Sequence, residues 1–419
     1  MNAEIQLGVL DQYLIDYQSV VTSKLLLGYS SAGVAGLTTS EVASLTSAQV
    51  LLIKVNSFAG LSGTQINVLS PSAITALTGE RLNQIPAASL AALSPSSFGL
   101  LSVDQLMSLT TEQISILATG QMNAITTTTV TAFDADQLAA LKTSSIAAIS
   151  TSALNGLNIN QLGVLSKAQI AALTTAQLSG LSEANLRGLN VDQVAALEAV
   201  DAASLSVANV AALSPDQMSA LSSSAWIALT TKQYGGLNSN NIAGLSTTQV
   251  ALIDSAHMGV LTVQNFWAMS TDQFAALTTG QISVLSSAQA FQLSTANVSA
   301  MGATQIKAIS SADMSALTAI NLRAWVSSQI GALNTGQVVA LTNGQLNSMA
   351  FAQIGSLTGT QIAALGTAQT VGFTTTTTAA LSAAQLTQLR TSALVALQSS
   401  NIKAIGTQQI SGLSTDQTQ

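Results

Sequence analysis

The sequence predicts an all-α fold: a solenoid, or superhelical coil, of very short helices, one per eight-residue repeat. Three observations carry this prediction. Every eighth residue from Val21 to Leu413 is apolar, with no insertion or deletion, which makes about 50 repeated units. Each octad follows the pattern Leu-Ser/Thr-x-x-Gln-Ile/Leu/Val-x-Ala/Gly, as in residues 173–180 and 277–284. Finally, Ser or Thr at position two with Gln three residues later is a capping box. The hydroxyl accepts from the glutamine backbone N–H, and the glutamine side chain reaches back to the N–H of the cap residue.

Residues 1–20 fall outside the period. Ile5, Leu7, Val9, Leu10, Tyr13, Leu14, Ile15 and Tyr17 are spaced as one longer amphipathic helix. It reads as a cap for the first coil or, through Leu10, Tyr13, Leu14 and Tyr17, as a self-assembly element. Glu4, Asp11 and Asp16 replace the basic region that a signal peptide needs. Residues 21–419 form the array. In each octad the apolar residues at positions one and six, such as Leu173 and Leu178, flank the cap as a hydrophobic staple. Both are expected to face a common axis. Pro71, Pro95 and Pro215 stand at position three, the first helical residue, where a missing N–H costs nothing. Glu80, Asp104, Glu112, Asp136, Asp192, Asp216, Asp272 and Asp416 occupy position four, and Arg187, Lys307, Arg323 and Lys403 occupy position seven. These are the helix ends that favour each charge. Small residues at position eight, such as Gly180, Gly188, Gly236 and Gly244, allow close packing.

The helices cannot run on into one another. Eight residues turn about 800°, so an apolar stripe drifts by roughly 80° per octad. The chain must therefore re-aim at each junction of positions one and two. A helix of about six residues is unstable alone, so each octad depends on its neighbours. A β-solenoid is the alternative, since an even period suits alternating side chains. However, positions one and six would then point to opposite faces of a strand. Abundant Ala, Leu and Gln also favour helix. The threonine runs at 126–129 and 374–378 favour the β reading locally.

Composition narrows the function. With 48% hydrophobic and 7% charged residues, the chain should fold rather than stay disordered. Eleven Lys and Arg residues, unclustered in a chain of net charge −7, argue against a nucleic-acid partner. The absence of cysteine excludes disulfides and thiolate chemistry. No apolar run approaches the ~20 residues of a membrane span. The single histidine, His257, takes position five as a capping substitute. The pairs Asp134/Asp136 and Glu198/Asp201 stand at helix starts. There is no phosphate loop or calcium-binding nonapeptide. No catalytic residue, cofactor or metal site is expected, and an enzyme is not. Phe58, Phe98, Trp226 and Phe274 at position six, with Trp325 and Phe373 at position one, are core aromatics. Trp267 and Phe291 at position seven and Phe351 at position three depart from that pattern and are candidate surface-contact residues.

The Leu-Thr-x-x-Gln phrase of residues 173–177 and 277–281 resembles the octapeptide arrays of large bacterial surface and adhesin-like proteins, over residues 21–419. The resemblance carries no functional residues across. It implies an extracellular or cell-surface structural protein. The array stops inside an octad at residues 413–419 without a polar closing unit. Together with the divergent N-terminus, this suggests head-to-tail stacking of copies into a filament or surface fibre, the alternative being that the chain is one piece of a longer array. The alternative is an adhesin or ligand-binding stalk, with a cell surface or glycan as partner. A third reading has a regular threonine face bind an ordered lattice such as ice or a mineral.

Overall fold

A computed structural model describes residues 26–418. The chain forms two compact units that meet in sequence between Ala212 and Leu213, and both are built the same way. Among the described residues every regular element is a helix, and no strand occurs. The helices are four to six residues long, as in Thr175–Ser179, Glu183–Arg187 and Pro215–Ala220. The proposed longer helix over residues 1–20 lies outside the described residues, as do Leu10, Tyr13, Leu14 and Tyr17.

Helices start where the capping box places them. Thr174 is extended (φ −73°, ψ 155°), and its hydroxyl accepts from Gln177 N–H at 3.2 Å. Each helix then ends because the chain re-aims. Leu77 (φ −61°, ψ 125°) and Thr78 (φ −78°, ψ 159°) are both extended, so residues of position one and two separate successive helices. The prolines stand at the first helical residue, as Pro71, Pro95 and Pro215 show.

The threonine runs are not strands. Residues Thr129–Ala132 form a 3-10 turn and Thr375–Ala379 an α-helix. Thr374 caps that helix by accepting from Thr377 N–H at 3.2 Å, and buried Thr378 returns its hydroxyl to the Thr374 carbonyl at 3.1 Å. Local capping and burial thus outweigh the weak β preference of threonine.

Within each unit a helix packs on the third helix after it. Three octads therefore close one coil, giving it three sides. Positions one and six fill the interior, with Leu173, Leu178, Leu277 and Ile282 all buried. Position eight carries the closest approach between coils. A Cβ on Gly244 would lie 2.4 Å from the Pro215 backbone, and one on Gly60 would lie 1.8 Å from the Ser31 carbonyl oxygen.

Candidate functional site: the inter-coil clasp and the exposed aromatic residues

The glutamine at position five does more than cap. In Gln281, Oε1 accepts from Thr278 N–H at 2.7 Å, closing the capping box. Its Nε2 then donates to the carbonyls of Val250 and Ile253, each at 2.7 Å, in the preceding coil. These acceptors stand 31 and 28 residues earlier. Ile253 is itself a position-one residue, three octads before Leu277, which opens the octad of Gln281. The glutamine therefore reaches back across one whole coil. The same pattern recurs at Gln105, Gln113, Gln169, Gln193, Gln337 and Gln385. The carbonyls served stand in the last turn of a helix and at the junction residue beyond it, as Val250 and Ile253 do for helix Thr247–Ala251, where helical partners run short. One buried amide thus satisfies the start of its own helix and the end of another.

Departures from glutamine show what the site requires. Asparagine is one methylene shorter and serves one carbonyl in these cases: Asn209, Asn265 and Asn321 reach the one 28 residues back, at 2.9–3.0 Å, and Asn297 the one 31 residues back, at 3.0 Å. Where position five holds Ser97, Asn185 or Thr377, an asparagine at position seven of the preceding coil takes over the acceptor. Asn67 Oδ1 receives Ser94 N–H at 3.0 Å, Asn155 Oδ1 receives Ser182 N–H at 2.8 Å, and Asn347 Oδ1 receives Thr374 N–H at 3.2 Å. Arg81 supplies donors instead, from Nη2 to the Leu51 carbonyl at 2.8 Å and from Nη1 to Thr78 Oγ1 at 3.1 Å.

His257 acts differently from the cap expected of it. Asp254 is the cap, accepting from His257 N–H at 2.9 Å, and His257 Nδ1 lies 2.9 Å from the other Asp254 oxygen. The imidazole does not take the cap N–H. Its ring stacks on Tyr234 with centroids 4.1 Å apart. Tyr234 Oη donates to the Trp226 carbonyl at 3.2 Å, the group a glutamine at position 257 would serve by register. Burial first, and the Asp254 charge second, push the Tyr234 hydroxyl above the ordinary tyrosine range, so it stays a donor. Asp254 is held below the usual carboxylate range, chiefly by the His257 N–H.

Of the candidate contact residues, Trp267 and Phe291 lie three octads apart, on one side of adjacent coils, and both are about half exposed. The Trp267 indole N–H donates to the carbonyl of Gln292, the residue after Phe291. Phe351 is exposed but occupies another side of the coil. Among the described residues no group of three His, Asp or Glu side chains is placed to hold a metal. No helix among them is long and apolar enough to cross a membrane.

Residues 306–343 match the family model of the ALTTAQ repeat. That phrase is the octad read from position eight to position five, and residues 172–177 spell it in full. The matched ALTTAQ segment contains the Gln337 clasp onto Ile306 and Ile309. No curated protein matches the chain.

Proposed function

We propose that the chain is a structural repeat protein of a bacterial surface, whose coils stack end to end into a filament or surface fibre. The observation that carries this reading is the uniform coil-to-coil contact. Each coil presents backbone acceptors on one edge and amide donors on the other, so the edges of any two coils are complementary. A contact between unlike faces that does not close produces an open polymer. In the last described coil, the edge that a following coil would cover is apolar. Ile402 and Ile410 are 49% and 47% exposed at a position that is elsewhere buried. They line a cleft of about 370 Å³ with Leu394, Val395, Ile405, Leu413 and Gln417. Low charge and the absence of cysteine suit an extracellular setting. Electron microscopy and light scattering of the full chain test the proposal. Ordered fibres are expected, lost in an Ile402→Glu/Ile410→Glu variant and on deletion of residues 1–20. Monodisperse monomers at high concentration refute it.

The exposed aromatic pair favours a second reading, a ligand-binding stalk. It expects saturable binding to a glycan or cell surface that weakens in Trp267→Ala and Phe291→Ala; binding unchanged in both removes it.

A further inference from the structure

Position five holds a titratable residue at Glu41, Arg81, Asp201, His257 and Asp313. Asp201 is only 4% exposed, and its surroundings set it apart. Its Oδ2 accepts from Glu198 N–H at 2.9 Å, copying the oxygen of glutamine. The second oxygen stands where an asparagine, of the same length, carries its NH₂ group. By the register that Asn209 shows, that group serves the carbonyl 28 residues back, here Leu173. Among the described residues no donor meets this oxygen. An ionised carboxyl therefore sets acceptor against acceptor, while a protonated one places an O–H where an amide N–H belongs. Asp313 avoids the conflict. Ser310 Oγ donates to one of its oxygens at 2.6 Å, and Ser287 Oγ, from the preceding coil, donates to the other at 2.9 Å.

We propose that Asp201 is a proton-operated clasp in the first unit: protonated, it joins its coil to the preceding one, and ionised, it loosens that junction. The charged group facing it is Glu198, on its own octad. Helix Thr175–Ser179, which packs against it, carries no charge, and Asp192 on the preceding helix is turned to Lys167 at 2.9 Å. Burial is the main cause that holds the Asp201 carboxyl above its usual range. The Glu198 N–H opposes this and the Glu198 charge adds to it. For a pKa raised on folding, the stabilising contribution is complete below the unfolded value, about 3.9. It is lost as pH rises through the folded value.

Hydrogen exchange with mass spectrometry on the full chain, corrected for the intrinsic pH dependence of exchange, tests this at residues 170–175 and 198–205 between pH 4 and 8. Wild type should lose protection as pH rises. Asp201→Asn, which supplies the amide seen at Asn209, should be flat across the range and about tenfold better protected than wild type at pH 8. Asp201→Ala should be flat and poorly protected throughout. A wild-type profile without pH dependence overturns the proposal. So does an Ala variant as well protected as the Asn variant, since loss of charge alone would then explain the effect.

Discussion

Replacing Gln281 with leucine keeps the side-chain volume but removes the clasp, and the consequence can be worked out group by group. The Thr278 N–H and the Ile253 carbonyl have Gln281 as their partner. The Val250 carbonyl loses less, because it also receives Ile253 N–H at 3.2 Å. Each buried backbone group left without a partner costs about 1–3 kcal/mol, so two such groups give a loss of about 2–6 kcal/mol. The damage should be local, since stability in such arrays is shared mainly between adjacent coils. Hydrogen exchange is therefore the right assay. A loss of about 3 kcal/mol corresponds to exchange accelerated by roughly 150-fold over residues 250–254 and 278–284, with distant coils little changed. Gln264→Leu is the control, because Gln264 is exposed at position four and its substitution should stay within about 0.5 kcal/mol. If the two variants exchange alike, the amide does not join the coils and the reasoning fails.

Three other outcomes follow from the same geometry. Gly244→Ala places a methyl 2.4 Å from the Pro215 backbone and should destabilise the second unit by about 1–3 kcal/mol, read from denaturant unfolding; an unchanged midpoint contradicts the close approach. An excised stretch of three octads, such as residues 269–292, should give a disordered circular dichroism spectrum, because helices this short need a covered coil on either side; a helical spectrum would show that an octad is stable alone. The carboxyl of Asp254 is lowered, so its contribution is present above the unfolded value and lost as pH falls through the folded one. Protection over residues 255–260 should therefore fall off below about pH 4 in wild type, but not in Asp254→Asn.

Much of the helix-level design was legible in the chain. Thr174, Gln177, Pro215 and the acidic residues at position four all act locally, within one turn of the atoms they serve, so reading neighbours in sequence was enough. The signal for the clasp lies in the chain as well. A capping box occupies only the oxygen of glutamine, and a buried amide nitrogen also needs acceptors. The asparagine substitution was visible too, since Asn67, Asn155 and Asn347 stand at one constant interval before Ser97, Asn185 and Thr377. That interval has meaning only once the length of a coil is known. Likewise, Trp267 and Phe291 looked like separate irregularities until three octads proved to be one coil.

By itself, then, the sequence determined where the helices begin, which two positions of the octad form the interior, and that no helix continues into the next. Those properties follow from backbone sterics and hydrogen bonds spanning three or four residues. Only the tertiary structure decided that three octads close a coil and that Gln281 answers Val250 and Ile253. The number of sides depends on the angle accumulated at each extended junction, and that angle is set by what the interior side chains and the neighbouring coil will accept.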